Sequence, residues 1–151
     1  MLAFFIISAE LVGIAGAFFT VNSIPTWYAT LAKPAFAPPN WVFGPVWIIL
    51  YALMGIAGYL IWRKIHGHRH SHFALRLYAF QLMFNFLWSL AFFGMRNIQL
   101  AFADIVVLLV LIIAVTITFF KIRKTAGWLF VPYLAWVAFA TVLNAYLLFL
   151  N

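Results

Sequence analysis

The chain has 151 residues, of which 68% are hydrophobic and only 7% are charged. A soluble domain carries several times more charge, so this composition excludes a water-exposed globular fold and predicts a protein that lies in lipid. The net charge of +7 comes from basic residues at the ends of apolar runs, which favours a role in membrane orientation over nucleic-acid binding. The sequence has no cysteine, which excludes disulfides and thiol chemistry.

Five apolar runs are long enough to cross a bilayer, at about 20 residues per crossing. The first run lacks the basic residues and the cleavage pattern of a signal peptide, so we interpret it as a retained span. The connections leave no room for a soluble domain. The sequence therefore predicts an all-α membrane protein in which residues 1–151 form a single bundle of five transmembrane helices. The predicted spans are 2–21, 43–63, 73–95, 98–120 and 127–150.

The basic residues predict an orientation. The side of the membrane that holds the N-terminus carries seven of them: Arg63, Lys64, Arg69, Arg76, Lys121, Arg123 and Lys124. The opposite side carries only Lys33 and Arg96. Because cytoplasmic loops are enriched in Lys and Arg, we expect the N-terminus to be cytoplasmic if the protein lies in a bacterial inner membrane.

Small residues recur at helical spacing on the first two spans. They are Ala9, Gly13 and Ala17, with Gly16 beside them, and Ala52, Gly55 and Gly58. Small residues let transmembrane helices approach closely. We expect both stripes to contact neighbouring helices within the chain. A dimer face is the alternative interpretation, and a homodimer is the expected assembly.

The segment between the first two spans is rich in proline and tryptophan. Pro34, Pro38 and Pro39 do not fit a continuous helix interior, so we predict a stiff, ordered loop over 25–42. Trp27, Tyr28 and Trp41 have the amphipathic rings that membrane interfaces favour. Two interpretations remain open: an interfacial belt on a rigid turn, and a lid over a cavity between the helices.

Three helix faces combine aromatic rings with small or polar residues. They are formed by Gly44, Trp47 and Tyr51; by Asn85, Trp88 and Phe92; and by Trp136, Ala140 and Asn144. At about 1.5 Å rise per residue, most of these positions fall in the half of the bilayer nearer the proline-rich loop. The faces favour either ordinary aromatic packing with interhelical amide bonds or an apolar cavity for a flat hydrophobic ligand.

Several motifs resemble those of one family. The pattern W-Y-x-x-L-x-K-P-x-x-x-P-P-x-W-x-x-x-P-x-W, from Trp27 to Trp47, resembles the first-loop signature of the translocator protein family (TspO, or peripheral benzodiazepine receptor). FNFLWSLAFFGMR at 84–96, Ala-Asp at 103–104 and PYLAWVAFATVLNAY at 132–146 are similar to that family in the same order. The resemblance implies the same five-helix fold.

The resemblance also implies a ligand class. It implies binding of porphyrins such as protoporphyrin IX or haem, and of synthetic isoquinoline and benzodiazepine compounds, with no cofactor required. The residues implied by matching motifs are Trp47, Asn85, Trp88, Trp136, Ala140 and Asn144, with Tyr28 and Lys33 from the loop. Gly44, Tyr51 and Phe92 join this expected ligand-binding set through the helix faces that they share.

Three functions are compatible with such a site. The first is a sensor, carrier or regulator of porphyrin level. The second is light- and oxygen-dependent porphyrin degradation with Trp47 and Trp136 nearby, since the chain offers no nucleophile–base pair and no nucleotide-binding loop. The third is transport of a porphyrin or a lipid-like ligand, although five helices without a clear internal repeat argue against an autonomous secondary transporter.

Glu10 and Asp104 lie within apolar runs, where an acid is costly and therefore marks a candidate functional site. For Asp104, part of the family's Ala-Asp pair, we predict a hydrogen bond that holds helices together. Glu10 lies at about the same depth as Gln81. We interpret Glu10 either as a protonated hydrogen-bond partner of Gln81 or as a proton site.

Two further motifs are weaker evidence of a binding site. His66, His68, His70 and His72 resemble a weak Zn²⁺ or Ni²⁺ site, but no acid or thiol is near. We therefore predict no metal site and interpret 64–72 as a basic loop that faces anionic membrane lipid. The cholesterol-recognition pattern of the family, L/V-x-Y-x-K/R, is incomplete, because no Lys or Arg follows Tyr146. Strong sterol binding is not predicted.

Overall fold

Five helices and no strands make up the protein, in a computed structural model that describes all 151 residues. Each helix is long and apolar enough to cross a membrane, which confirms the predicted fold class. The helices are α1 (Leu2–Ser23), α2 (Asn40–Trp62), α3 (Ser71–Ser89), α4 (Ile98–Ile122) and α5 (Lys124–Leu150).

The first helix is longer than predicted. It continues from α1 into a π-helical turn, Ile24–Tyr28, which has Pro25 near its start. A π-helical turn re-satisfies the backbone groups that a proline frees, so Pro25 does not end the helix. The non-helical segment is therefore 31–39, hereafter the cap, and the predicted loop of 25–42 was too long at both ends. Pro39, with ψ of 145°, sets the extended entry into α2.

The connection between α4 and α5 is also shorter than predicted. Only Arg123, in an extended conformation with φ of −154°, separates the two helices. The backbone N–H of Arg123 donates to the carbonyl of Phe119 at 2.7 Å. Gly127 allows the turn to close, because a Cβ at that position would overlap the ring of Phe120.

The end of α3 has an irregularity that places aromatic rings in the interior. A π-helical turn, Leu90–Gly94, follows α3, and both Phe92 and Phe93 are buried. Arg96 then reverses the chain at a positive φ of 55°. Asn97 caps α4 by accepting a hydrogen bond from the N–H of Leu100 at 2.9 Å.

Most of the small residues of the two stripes contact neighbouring helices within the chain, as predicted, but Ala17 is exposed. A Cβ at Gly55 would lie 2.6 Å from the Cα of Ile6, so the two backbones touch there. Gly13 faces the ring of Tyr51. At Gly44, nearer the cap, a Cβ would meet nothing within 4 Å. The two helices are therefore tightly packed at one end and separated at the other.

A chain of hydrogen bonds crosses the centre of the bundle. Tyr51 donates to the Oδ1 of Asn85, whose Nδ2 donates to the hydroxyl of Tyr133 at 2.8 Å. Tyr133 donates to the Oε1 of Gln81 at 2.9 Å, and the Nε2 of Gln81 lies 3.9 Å from the sulfur of Met54. This polar network connects α2, α3 and α5 inside an apolar interior.

Asp104 does not form the predicted hydrogen bond, and Glu10 does not form the bond to Gln81 that was one of its two interpretations. Asp104 has a buried Oδ2 with no partner, so the predicted link between helices is absent. The side chain of Gln81 pairs with Tyr133 and Met54 and does not bond Glu10. For Glu10 the reason is that the amide of Gln81 already pairs with Tyr133, and for Asp104 it is that no donor lies within hydrogen-bonding distance of its Oδ2.

Candidate functional site

A small chamber lies directly beneath the cap, between α2, α3 and α5. It encloses about 30 Å³ and is lined by 11 residues, 10 of them hydrophobic. We call it the aromatic chamber. Seven of its lining residues belong to the set expected from the sequence: Tyr28, Trp47, Trp88, Phe92, Trp136, Ala140 and Asn144. The structure therefore brings the proline-rich segment and three separate helix faces together at one place.

The rings of the chamber pack against one another. The rings of Trp88 and Phe92 stack, with 5.3 Å between centroids and 20° between planes. Phe43 meets Trp136 edge-on at 6.2 Å. Trp47 lies on the opposite wall and contacts the ring of Tyr133 at 6.3 Å. These rings fill most of the space beneath the cap in this conformation.

Asn144 supplies the polar group of the chamber. Its side chain is only 1% exposed. Its Oδ1 accepts a hydrogen bond from the indole N–H of Trp88 at 3.1 Å, and its Nδ2 donates to the carbonyl of Ile98 at 3.4 Å. Asn144 thus fixes the orientation of the Trp88 ring. The phenolic oxygen of Tyr28 is buried without a partner and is the free polar atom of this site.

The cap contacts the end of α5 at two places. Asn151, at the end of the chain, pairs with the backbone of Ala32: its Oδ1 accepts from the N–H at 2.9 Å and its Nδ2 donates to the carbonyl at 3.0 Å. The ring of Phe36 packs edge-on against Tyr146 at 5.1 Å. Both contacts tie the cap to the end of α5.

Lys33 lies on the outer surface of the cap and does not line the chamber. Its Nζ donates to the carbonyls of Ala29 and Leu31 at 3.4 and 3.2 Å and lies 4.8 Å from the centre of the Tyr28 ring. Because these are contacts to exposed backbone groups, the side chain is free to exchange them for another acceptor.

A second, larger cavity opens between α1, α2 and α3. It has a volume of about 330 Å³, and we call it the side cavity. It contains Gly44 and Tyr51 from the expected set, and also Glu10. Four aromatic residues, Phe43, Trp47, Trp88 and Phe93, line both cavities and form the wall between them.

Asn85 lines neither cavity. Its Oδ1 and Nδ2 are both engaged in the polar network, and its side chain is 2% exposed. The structure therefore keeps Asn85 away from both cavities, although it bonds Tyr51 of the expected set. In this conformation it supports the wall of the side cavity by holding Tyr51.

Four residues of the aromatic chamber were not predicted from the sequence: Phe43, Phe93, Leu143 and Leu147. Leu143 and Leu147 lie three and seven residues after Ala140, so an extension of the α5 face would have found them. Phe93 could not be predicted from helical spacing. The π-helical turn at the end of α3 shifts the register, and a regular helical spacing does not include both Phe92 and Phe93.

The fold and the site together define an integral membrane protein with five helices and a capped chamber rich in indole rings. The chain belongs to the TspO/MBR family, whose model matches residues 5–150.

Relatives from archaea, bacteria and animals are similar along most of their length. The tryptophan-rich protein TspO of Archaeoglobus fulgidus is 41% identical over 146 residues, covering 97% of this chain and 94% of the relative. The translocator protein of Homo sapiens is 41% identical over 119 residues, covering 78% of this chain and 70% of the relative. The tryptophan-rich sensory protein of Cereibacter sphaeroides is 43% identical over 118 residues, with coverages of 78% and 72%.

Proposed function

We propose that the protein binds tetrapyrroles, such as protoporphyrin IX or haem, in the aromatic chamber and acts as a sensor, carrier or regulator of porphyrin level. The observation that carries the proposal is the convergence of three indole rings, those of Trp47, Trp88 and Trp136, beneath the cap. Membership of the TspO/MBR family supports the ligand class. The name of the sensory relative supports the regulatory role.

The chemistry of the chamber suits a flat aromatic macrocycle. Indole and phenyl rings stack on a porphyrin face, and their burial excludes water from it. The free hydroxyl of Tyr28 and the amide of Asn144 offer hydrogen bonds to polar atoms of the ligand. No Lys, Arg, Asp or Glu lines the chamber, so inside the chamber the ring system is held by stacking.

Binding requires the chamber to expand. A volume of about 30 Å³ is far smaller than a porphyrin, so the cap and at least one ring must move to admit it. The cap is the element with the least regular structure and few hydrogen bonds to the bundle, which makes it the element that opens. Lys33, on its outer surface, would then pair with a carboxylate of the porphyrin side chains.

A fluorescence titration tests this proposal. Protoporphyrin IX should quench the tryptophan fluorescence of the purified protein, and Trp47→Ala and Trp136→Ala should each weaken its affinity about tenfold through lost stacking. Trp128→Ala is the matched control, because Trp128 is exposed and lines neither cavity. Equal affinities in all four proteins would overturn the proposal. New absorbing products that form only under light would favour the photo-oxidative alternative.

We also propose that the cap faces away from the cytoplasm. In the structure, the N-terminus, the α2–α3 connection and the α4–α5 turn lie at one end of the bundle, and the cap lies at the other. Seven of the nine basic residues belong to the first end. The distribution of Lys and Arg therefore supports a cytoplasmic N-terminus.

A further inference from the structure

The side cavity has a chemistry that the proposed porphyrin site does not use. Glu10 is the one charged residue among its 17 lining residues, and the rest of the lining is apolar, aromatic or neutral polar. We propose that the side cavity is a second binding site, which takes a hydrophobic molecule carrying a protonated amine, with the carboxylate of Glu10 as the counter-ion.

Glu10 has no partner within the protein. It forms no hydrogen bond and no ion pair, and Gln81, the amide at similar depth, is engaged by Tyr133 and Met54. No Lys or Arg lines the cavity. The carboxylate therefore faces the cavity with its hydrogen-bonding capacity unused.

The position of Glu10 makes an unpaired carboxyl group costly. It is the ninth residue of α1, about 12 Å along the helix axis from its start at about 1.5 Å per residue, and lies within a membrane span. An unpaired acid at that depth is expensive, and a cation brought beside it relieves the cost. A neutral ligand supplies no opposite charge, and a carboxylate ligand such as a porphyrin is repelled.

The walls of the cavity favour the same class of ligand. Five aromatic residues line it: Phe43, Trp47, Tyr51, Trp88 and Phe93. The rings of Trp47 and Tyr51 lie side by side, 5.6 Å apart and tilted by 32°. Aromatic faces attract ammonium groups, most strongly where water is excluded. A carboxylate and indole rings in one apolar cavity thus recognise both the charge and the hydrophobic body of an amine.

The shape of the bundle lets such a molecule enter from the lipid. The cavity lies where α1 and α2 separate, beyond the contact at Gly55, and Gly44 leaves its wall open. Ile14 and Ile48, at the rim, are exposed to the membrane. A cationic amphiphile in the bilayer therefore reaches Glu10 without passing the cap.

The two sites are separable by mutation. Glu10 lines only the side cavity, and Trp136 and Asn144 line only the aromatic chamber. The amine site does not depend on porphyrin binding. Amine binding and porphyrin binding can therefore be measured separately, and the absence of one of them counts against only the proposal that predicts it.

Calorimetry with a pair of probes tests the amine site. Naphthylpropylamine and the uncharged naphthylpropanol are titrated into the protein in nanodiscs of zwitterionic lipid, with empty nanodiscs subtracted. The wild-type protein should bind the amine about tenfold more tightly than the alcohol. Glu10→Gln should abolish this preference and leave alcohol binding and protoporphyrin IX binding unchanged.

Two further variants complete the test. Asp104→Asn removes the other membrane acid, which lines neither cavity, and should keep the amine preference. Gly44→Leu should weaken both probes at least fivefold by filling the cavity, because the space beside Gly44 is open. An amine-to-alcohol ratio that is the same in the wild-type protein and Glu10→Gln would overturn the proposal. An equal loss of the preference in Asp104→Asn would also overturn it, since the effect would then be one of overall charge.

Discussion

At the centre of the bundle, the hydroxyl of Tyr133 accepts a hydrogen bond from Asn85 and donates one to Gln81. A single buried atom thereby joins α3 to α5, and Asn85 extends the connection to Tyr51 on α2. In a hydrocarbon environment each of these groups needs a protein partner, because water is absent. The network therefore fixes the relative rotation of three helices and, through Tyr51, the wall of the side cavity.

Removal of the Tyr133 hydroxyl should destabilise the bundle. Tyr133→Phe keeps the ring and leaves one group of Asn85 and one of Gln81 unpaired, so we expect a loss of about 1–2 kcal/mol in the free energy of unfolding. Unfolding of the protein in mixed micelles measures this loss. Tyr146→Phe is the control, because the Tyr146 hydroxyl makes no hydrogen bond and its residue is exposed. Its effect should stay within about 0.5 kcal/mol. Equal effects of the two variants would show that the network contributes nothing to stability.

The residue scale also shows where sequence reasoning fails. The helical spacing of Asn85, Trp88 and Phe92 placed all three on one face, but Asn85 points into the polar network. Spacing defines a face, whereas the choice between a cavity and a buried hydrogen bond depends on which donors other helices bring near. The position of Asp104 likewise did not reveal that no donor from another helix comes within reach of its Oδ2.

At the scale of single elements, glycine spacing determines how α1 and α2 diverge. The backbones touch at Gly55 and Ile6, and the gap beside Gly44 opens the side cavity. The spans themselves were predictable, since apolar length is the main determinant of a membrane helix. The end of the first span was less predictable, because the π-helical turn Ile24–Tyr28 extends the helix past Pro25 into the segment predicted as loop. The end of the third span was predicted correctly, but the π-helical turn Leu90–Gly94 within it was not.

A methyl group at the helix contact should cost stability. Gly55→Ala places a Cβ 2.6 Å from the Cα of Ile6 and 2.8 Å from the carbonyl oxygen of Phe5, and backbone atoms cannot give way as side chains do. We expect a loss of about 1–3 kcal/mol in the free energy of unfolding. Gly44→Ala, where the new methyl group meets open space, should be neutral or stabilising. A loss at Gly44 as large as that at Gly55 would contradict the described helix packing.

The two hydrogen bonds between Asn151 and the backbone of Ala32 should hold the cap closed. Asn151→Ala removes both hydrogen bonds, each worth about 1 kcal/mol or less at an exposed site, so the open cap should become roughly fivefold more populated. Hydrogen exchange of the amides of residues 31–37 should quicken by that factor, and protoporphyrin IX should associate faster. Thr30→Ala, which removes a hydrogen bond within its own turn, is the control. An unchanged hydrogen-exchange rate in Asn151→Ala would show that these hydrogen bonds do not hold the cap closed.

At the scale of the whole molecule, the protein is a five-helix bundle with its basic end on one side and its capped end on the other. The basic residues cluster where α2 meets α3 and where α4 meets α5. The aromatic chamber and the cap lie at the opposite end. In the proposed orientation, the cap and the cytoplasm are therefore on different sides of the membrane.

Cysteine labelling tests that orientation directly, because the protein has no cysteine of its own. A cysteine placed at Ala35, in the cap, should react with a membrane-impermeant maleimide added to intact spheroplasts. A cysteine placed at Gly67, where a Cβ meets nothing, should react only after the membrane is permeabilised. The reverse pattern would place the N-terminus outside the cytoplasm.

The central claim is that the indole-lined space beneath the cap is where a tetrapyrrole binds. An experimental structure of the protein with protoporphyrin IX bound tests it most directly. The account predicts a macrocycle in contact with Trp47, Trp136 and Asn144, with the cap displaced and Lys33 turned towards a porphyrin carboxylate. A macrocycle bound on the outer face of α1, with the chamber still filled by its own rings, would contradict it.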